Sequence, residues 1–249
     1  MFPLYSNLET METLSPYLII FFALTTLTTI LIFLRAASWS KTAIAIIAGW
    51  IILQTLVGLS GFYLVSDTMP PRFVLLLGPP TLFILFLFLT NKGRKFIDSL
   101  SIRWLTILHI IRIPVEMILF GLFLHKLIPQ IMTFEGRNLD IISGITAPII
   151  YYFVFIRQKL SKWVLLFWNI ICLVLLVNIV AIAILSAPFA FQRFAFDQPA
   201  IGILHFPFIL LPCCIVPLVL LSHLASIRQL IMEIRKVGNR KTILSQYSL

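Results

Sequence analysis

The chain has 249 residues, of which 60% are hydrophobic and 11% charged, with a formal net charge of +10. Soluble chains carry about 25% charged residues, so this composition excludes a water-soluble globule and makes lipid the solvent. The positive balance does not point to nucleic acid, because the basic residues fall in short turns between apolar stretches, where membrane topology puts them.

Seven apolar spans are read in order, at approximately 16–34, 42–65, 70–90, 104–125, 139–156, 163–186 and 207–227. About 20 residues at ~1.5 Å rise cross the ~30 Å hydrocarbon core. The first fifteen residues hold Glu9 and Glu12 but no Lys or Arg, the reverse of a secretory leader, so span one is expected as a retained helix. The connections are short. The expected fold is therefore all-α: a polytopic membrane protein, one transmembrane domain over residues 1–249, built as a seven-helix bundle.

Most spans carry polar or helix-breaking residues near their middles. Span one has Thr25 and Thr26, and span two has Gln54 and Thr55. Span three has Gly78, Pro79, Pro80 and Thr81. Span four has Arg112, Pro114 and Glu116, span five has Thr146 and Pro148, span six has Asn178, and span seven has Pro212 and Pro217. Proline frees backbone carbonyls that need partners inside a membrane. Broken helices with midplane polar groups build substrate sites in transporters, so a central polar cavity is expected.

Two connections are more than turns. Residues 92–101 are basic and amphipathic and are expected on the inner leaflet, against anionic lipid. The outer segment 187–206 alternates phenylalanine with Gln192, Arg193 and Asp197. It reads as an interfacial cap, or a lid over a pocket.

Orientation follows from charge. Fourteen basic residues fall on one side of the seven spans: Arg35, Lys41, Lys92, Arg94, Lys95, Arg103, Arg157, Lys159, Lys162, Arg228, Arg235, Lys236, Arg240 and Lys241. Four fall on the other: Arg72, Lys126, Arg137 and Arg193. The richer side is expected in the cytoplasm, with the N-terminus outside, the C-terminus inside and a bacterial cytoplasmic membrane as the location. Glu9, Glu12, Asp67, Glu135, Asp140 and Asp197 fall outside.

Span four holds the chain's chemistry. Arg112 and Glu116 are charges well inside it, each costing at least roughly 2.5–3.5 kcal/mol on insertion scales. His109, Arg112 and Glu116 lie within roughly 60° on one helix face. Arg112 and Glu116, at i,i+4, are placed to pair with each other. They read either as a buried ion pair that fixes packing or as a ligand or proton site. Gln54 and Asn178 are expected as neutral hydrogen-bonding groups. At the outer mouth, Arg137 is the natural anion contact, while Asn138 or Asp140 is placed to cap span five, with a turn at Gly136.

Other chemistries are set aside. The number and orientation of spans resemble those of microbial rhodopsins, but residues 207–227 hold no lysine for a retinal Schiff base. Cys172, Cys213 and Cys214 lie within apolar spans without metal-site spacing. His109 and His223 share an inner depth, and an opposed pair can ligate haem; as isolated histidines they read more simply as hydrogen-bonded residues. A Ser222–His223–Asp140 triad is disfavoured, because Ser222 and His223 point about 100° apart and Asp140 is assigned to the opposite membrane face. No metal and no cofactor are expected. The expected partners are the lipid bilayer, a small-molecule or lipid ligand and another membrane protein. The sequence favours binding or translocation of a small molecule at span four. A membrane-embedded enzyme acting on a lipid or isoprenoid-like substrate, with His109 and Glu116 as acid and base, and a structural subunit are the alternatives.

Overall fold

The computed structural model describes residues 14–65, 68 and 71–246. Glu9, Glu12, Asp67 and residue 70, which opens the third expected span, lie outside the described residues, as do the side chains of Arg240 and Lys241. Every regular element of the described residues is helical, without a strand among them.

Helix α1 (Pro16–Ala36) opens with proline at its first position, where a missing N–H costs nothing. The hydroxyls of Thr25, Thr26 and Thr29 return to carbonyls four residues back at 2.8, 2.9 and 2.7 Å. The polar middle of span one is thus satisfied within its own helix. Helix α2 (Lys41–Leu59) is capped by Ser40, whose Oγ accepts from the Ala43 N–H.

Helix α3 (Val74–Leu89) contains Pro79 and Pro80, and after Thr90 the chain turns by 97° into α4 (Asn91–Ser99). Helix α4 buries Ile97 and exposes Lys92 and Lys95. It docks on the last helix through Arg228, which donates to both carboxylate oxygens of Asp98 at 2.8 and 3.0 Å.

The fourth span is interrupted where the sequence places its polar face. Helix α5 (Ile102–Leu108) passes through a 3₁₀ turn, His109–Ile111, into α6 (Arg112–Leu124). Pro114 has no N–H to give the Ile110 carbonyl, and the tighter turn sits at that gap. Helix α7 (Ile141–Tyr151) runs into a π turn, Tyr152–Ile156. Helix α8 spans Lys162–Ser186, and a second π turn, Leu211–Ile215, opens α9 (Val216–Gln246).

Five helical runs are long and apolar enough to cross a membrane: Pro16–Ala36, Lys41–Leu59, Ile102–Leu124, Lys162–Ser186 and Leu211–Lys236. A sixth arises if α3 and α4 count as one bent span. Large apolar side chains such as Leu56, Leu59, Leu82 and Leu89 stand exposed on these helices. These are the lengths and surfaces of a multi-pass membrane protein. Ile141–Ile156 is shorter.

Two freed carbonyls lock the bundle. Pro217 cannot donate to Cys213, and that carbonyl accepts from Trp50 Nε1 at 2.8 Å. Pro79 cannot donate to Leu75, and Gln54 Nε2 reaches that carbonyl at 3.4 Å. In each case a side chain of α2 supplies the donor that proline removed. The core runs through α1, α5, α6, α9 and the chain leading into α9, where Leu105, Leu108, Leu122, Phe208, Ile209 and Ala225 are fully buried.

The elements that carry most of the basic residues meet at one end. The Arg35 guanidinium lies 5.6 Å over Trp104, Arg103 lies 5.8 Å over Phe155, and Lys162 pairs with Glu233 at 2.7 Å. At the other end the segment after α8 folds over the bundle. Gln198 Nε2 donates to the Phe123 carbonyl, the N–H groups of Ile201 and Gly202 donate to Leu127, and Phe189 stacks on Phe73 with ring centres 4.6 Å apart. This segment is a packed cap.

Candidate functional site

The site forms where α6 begins and α7 begins. Residues 125–140 leave the top of α6 and fold back beside it. Ile128, Thr133 and Asn138 are fully buried on this return. Asn138 therefore meets Glu116, and Asp140 meets Arg112, one turn further down. Irregular backbone at such depth is tolerated only when protein covers it. Asn138 helps, its Nδ2 donating to the Met132 carbonyl at 3.0 Å and its Oδ1 accepting from the Asp140 N–H at 3.1 Å.

Gly144 permits the close approach of α7. A Cβ there would lie 2.8 Å from Ile113 Cγ1, 3.0 Å from the Ile113 nitrogen and 3.3 Å from Arg112 Cβ. The start of α7 can touch the start of α6 only because this side chain is absent.

Arg112 is the hub. Its Nη1 donates to Asp140 Oδ1 and, at 3.3 Å, to the Cys172 carbonyl; its Nη2 lies 3.2 Å from His223 Nε2. A guanidinium only donates, so Nε2 is the acceptor and Nδ1 carries the His223 proton. Nδ1 donates in turn to Asn169 Oδ1 at 3.0 Å, and Asn169 Nδ2 donates to the Leu165 carbonyl at 2.9 Å. One chain of hydrogen bonds thus runs from α7 through α6 and α9 to α8.

This arrangement corrects the pairing read along span four. Arg112 pairs with Asp140, across the bundle, and Glu116 takes the Asn138 amide instead. Asp140 occupies the N-cap position of α7, but its side chain makes no cap bond; the carboxylate is committed to Arg112. Nor is Asp140 held away from His223, since Arg112 bridges them. The sequence placed Asp140 at the outer mouth because it precedes a span; the fold-back of residues 125–140 carries it to the depth of Arg112.

Glu116 is 1% exposed, and its Oε2 has no hydrogen-bond partner. It lines, with Asp140, a cavity of about 80 Å³ whose other walls are apolar, among them Leu119, Leu176 and Val216. Two carboxyl groups thus lie beside one guanidinium, and Glu116, the one Arg112 does not bond, has no ion-pair partner among the described residues. A carboxyl oxygen in such surroundings is costly to leave unpaired. It can hold a proton, or receive one donor or cation from a ligand.

His109 stacks on His223 with ring centres 3.8 Å apart and planes 13° off parallel, and both its ring nitrogens are buried without a partner. Haem iron takes two axial ligands from opposite faces of its macrocycle. Rings stacked at 3.8 Å leave no room for one between them, so the bis-histidine haem alternative fails on geometry. Among the described residues no group of three or more His, Cys, Asp or Glu side chains is placed to hold a metal ion.

Of the residues singled out from the sequence, His109, Arg112 and Glu116 come together. Gln54 does not join them: besides Leu75 it holds the Tyr63 hydroxyl, which donates to Oε1 at 2.6 Å. Asn178 is exposed, and its Nδ2 donates to the Arg137 carbonyl at 3.0 Å. The Arg137 side chain is exposed and away from the cavity. Asn169 was missed. Its signal was the same as that of Asn178, a lone amide in an apolar span.

Residues 69–231, well over half of the chain, match the family model described as a domain of unknown function, DUF8737. The chain belongs to this family. No curated protein and no solved structure matches it. Arg112, Glu116, Asn138, Asp140, Asn169 and His223 all lie inside the DUF8737 match. Helices α1 and α2, with Trp50 and Gln54, lie outside it.

Proposed function

We propose that this protein binds or translocates a small molecule at the polar floor of the cavity, with Glu116 as its contact. The observation that carries the reading is Glu116 Oε2, buried without a hydrogen-bond partner on a residue that lines an apolar cavity, while Arg112 is occupied by Asp140. Arg112 then acts as the counter-charge that keeps Asp140 in place, and the His223–Asn169 pair holds the guanidinium from the other side. Buried intramembrane carboxyls mark ligand or proton sites by default.

The same reading takes the chain as one transmembrane unit of seven crossings. The fifth crossing combines the return of residues 133–140, anchored by buried Thr133, Asn138 and Asp140, with the 11 residues of α7 and the 5 of the π turn, which alone reach only about 24 Å. The N-terminus is outside and the C-terminus cytoplasmic. The meeting of Arg35, Arg103, Lys162 and Arg228 at one end supports this orientation.

The test is mass spectrometry of small molecules co-purified in lipid nanodiscs. Wild-type protein is expected to retain one species in near-stoichiometric amount, and Glu116→Gln to lose it while melting at a similar temperature. A folded wild-type protein that retains nothing above the level of the Glu116→Gln variant would contradict the reading.

A further inference from the structure

The cavity at Glu116 continues sideways. A second space of about 320 Å³ adjoins it, and Leu77, Leu176, Val180, Ile184 and Val216 wall both. The larger space alone reaches the lower end of the usual range for small-molecule sites, about 300 Å³. Its outer rim is formed by Thr81 of α3 and by Val177 and Ala181 of α8, all exposed. The Thr81 hydroxyl is turned back onto the Leu77 carbonyl at 2.6 Å, so the rim offers no free donor. The outer end of the cavity, in contrast, is walled by Ala187, Ile203 and Leu204 of the packed cap. The passage to Glu116 is therefore lined by hydrocarbon and opens on the helix faces that meet lipid.

We propose that the ligand is a lipid-soluble amine with a hydrocarbon body, which reaches Glu116 from the plane of the bilayer between α3 and α8. This rests on the reading of Glu116 as a ligand contact. Charge complementarity selects the class. The floor holds two carboxyls and one guanidinium, which Asp140 engages, and Glu116 Oε2 lacks a partner. An anionic head meets two acids there, with the guanidinium already engaged. A neutral alcohol can hydrogen-bond to the Glu116 carboxyl but is too weak a base to take its proton. An amine does both. It crosses the apolar passage as the free base, and Glu116 then transfers its proton to the nitrogen. The carboxylic O–H bond breaks, an N–H bond forms, and a carboxylate–ammonium pair remains. No net charge enters the bundle at any step, and the apolar body stays in the lateral space.

The experiment uses the full chain in phosphatidylcholine nanodiscs and a decylamine carrying a mid-chain diazirine. After illumination, labelled residues are mapped by mass spectrometry, with decylamine, decanol and decanoate as competitors. Labelling is expected to saturate and to fall at Val177, Val180 and Val216, with decylamine competing at least tenfold better than decanol or decanoate. Glu116→Gln is expected to lower the probe's affinity at least tenfold. Ala181→Trp, which fills the rim without touching Glu116, is expected to reduce labelling by a similar factor. Decanol competing as well as decylamine overturns the amine class. Undiminished labelling in Ala181→Trp overturns the lateral route. A neutral or anionic molecule found co-purified with wild type overturns the ligand class but leaves Glu116 as a contact; absence of both a co-purified molecule and saturable labelling overturns both readings.

Discussion

Arg112 is the bulkiest side chain among the described residues that the fold buries almost completely, at 2% exposure. Its charge is tolerated because Asp140, the Cys172 carbonyl and His223 Nε2 all accept from it. Breaking a buried pair by removing one partner costs roughly 3–5 kcal/mol, whereas replacing both with apolar groups is often neutral. Arg112→Met is therefore expected to destabilise the protein by about that amount, and Arg112→Met with Asp140→Leu to recover most of it. Arg112→Met with Glu116→Gln is not expected to recover it. Thermal melts of the singles and doubles check this, and a larger coupling of Arg112 to Glu116 than to Asp140 would return the ion pair to the helix itself. Arg112 and Glu116 were legible in the sequence because charge inside a 20-residue apolar span has no other placement. Their partners were not. Asp140 borders a span, and only the tertiary path of residues 125–140 takes it inward.

At the scale of elements, prolines and one glycine decide how helices meet. The sequence showed that Pro79 and Pro217 would free carbonyls; it did not show that Trp50 and Gln54, on a single helix, would satisfy both. Leaving a buried carbonyl unpaired costs roughly 1–3 kcal/mol. Trp50→Phe is expected to lose about that much, and Pro217→Ala in the same background to regain part of it, because an alanine N–H can reach the Cys213 carbonyl along the helix. Equal losses in the single and double variants, read by denaturation in detergent, would show that the indole does not serve that carbonyl. Gly144 works by absence. Adding a methyl group at 2.8 Å from Ile113 Cγ1 forces α7 away from α6, and overpacking of this kind costs typically ~1–3 kcal/mol. Gly144→Ala is expected to lower the melting temperature and weaken the Arg112–Asp140 coupling in the same double-mutant cycle. An unchanged coupling would mean the two helices need not approach so closely. The interruption at His109–Ile111 was legible only in part: Pro114 announced a break, but a 3₁₀ turn and a proline kink look alike in sequence.

For the whole molecule, apolar spacing made the helical membrane class legible; α1 and α8 end within a few residues of the spans read from hydropathy, but α2 stops at Leu59 rather than 65 and the last helix runs on to Gln246, far past 227. The expected fifth span falls short, its helix and π turn covering only Ile141–Ile156, because the chain before it is irregular, which hydropathy does not distinguish from helix. Orientation gives a separate prediction. Single cysteines at Lys95 and at Arg193, in a background with Cys172, Cys213 and Cys214 replaced by Ala, should react with a membrane-impermeant maleimide from opposite sides. Reaction at position 193 is expected in intact cells and at position 95 only after lysis; the reverse pattern would invert the topology. Function turns on Glu116, whose Oε1 is held by Asn138 while Oε2 has no partner among the described residues and is open to a ligand. The measurement that tests this most directly is an electron-microscopy density map of the wild-type protein in nanodiscs. Non-protein density is expected against Glu116 Oε2, continuing between α3 and α8, with Arg112 on Asp140. An empty cavity with the Glu116 carboxylate turned onto Arg112 would contradict it.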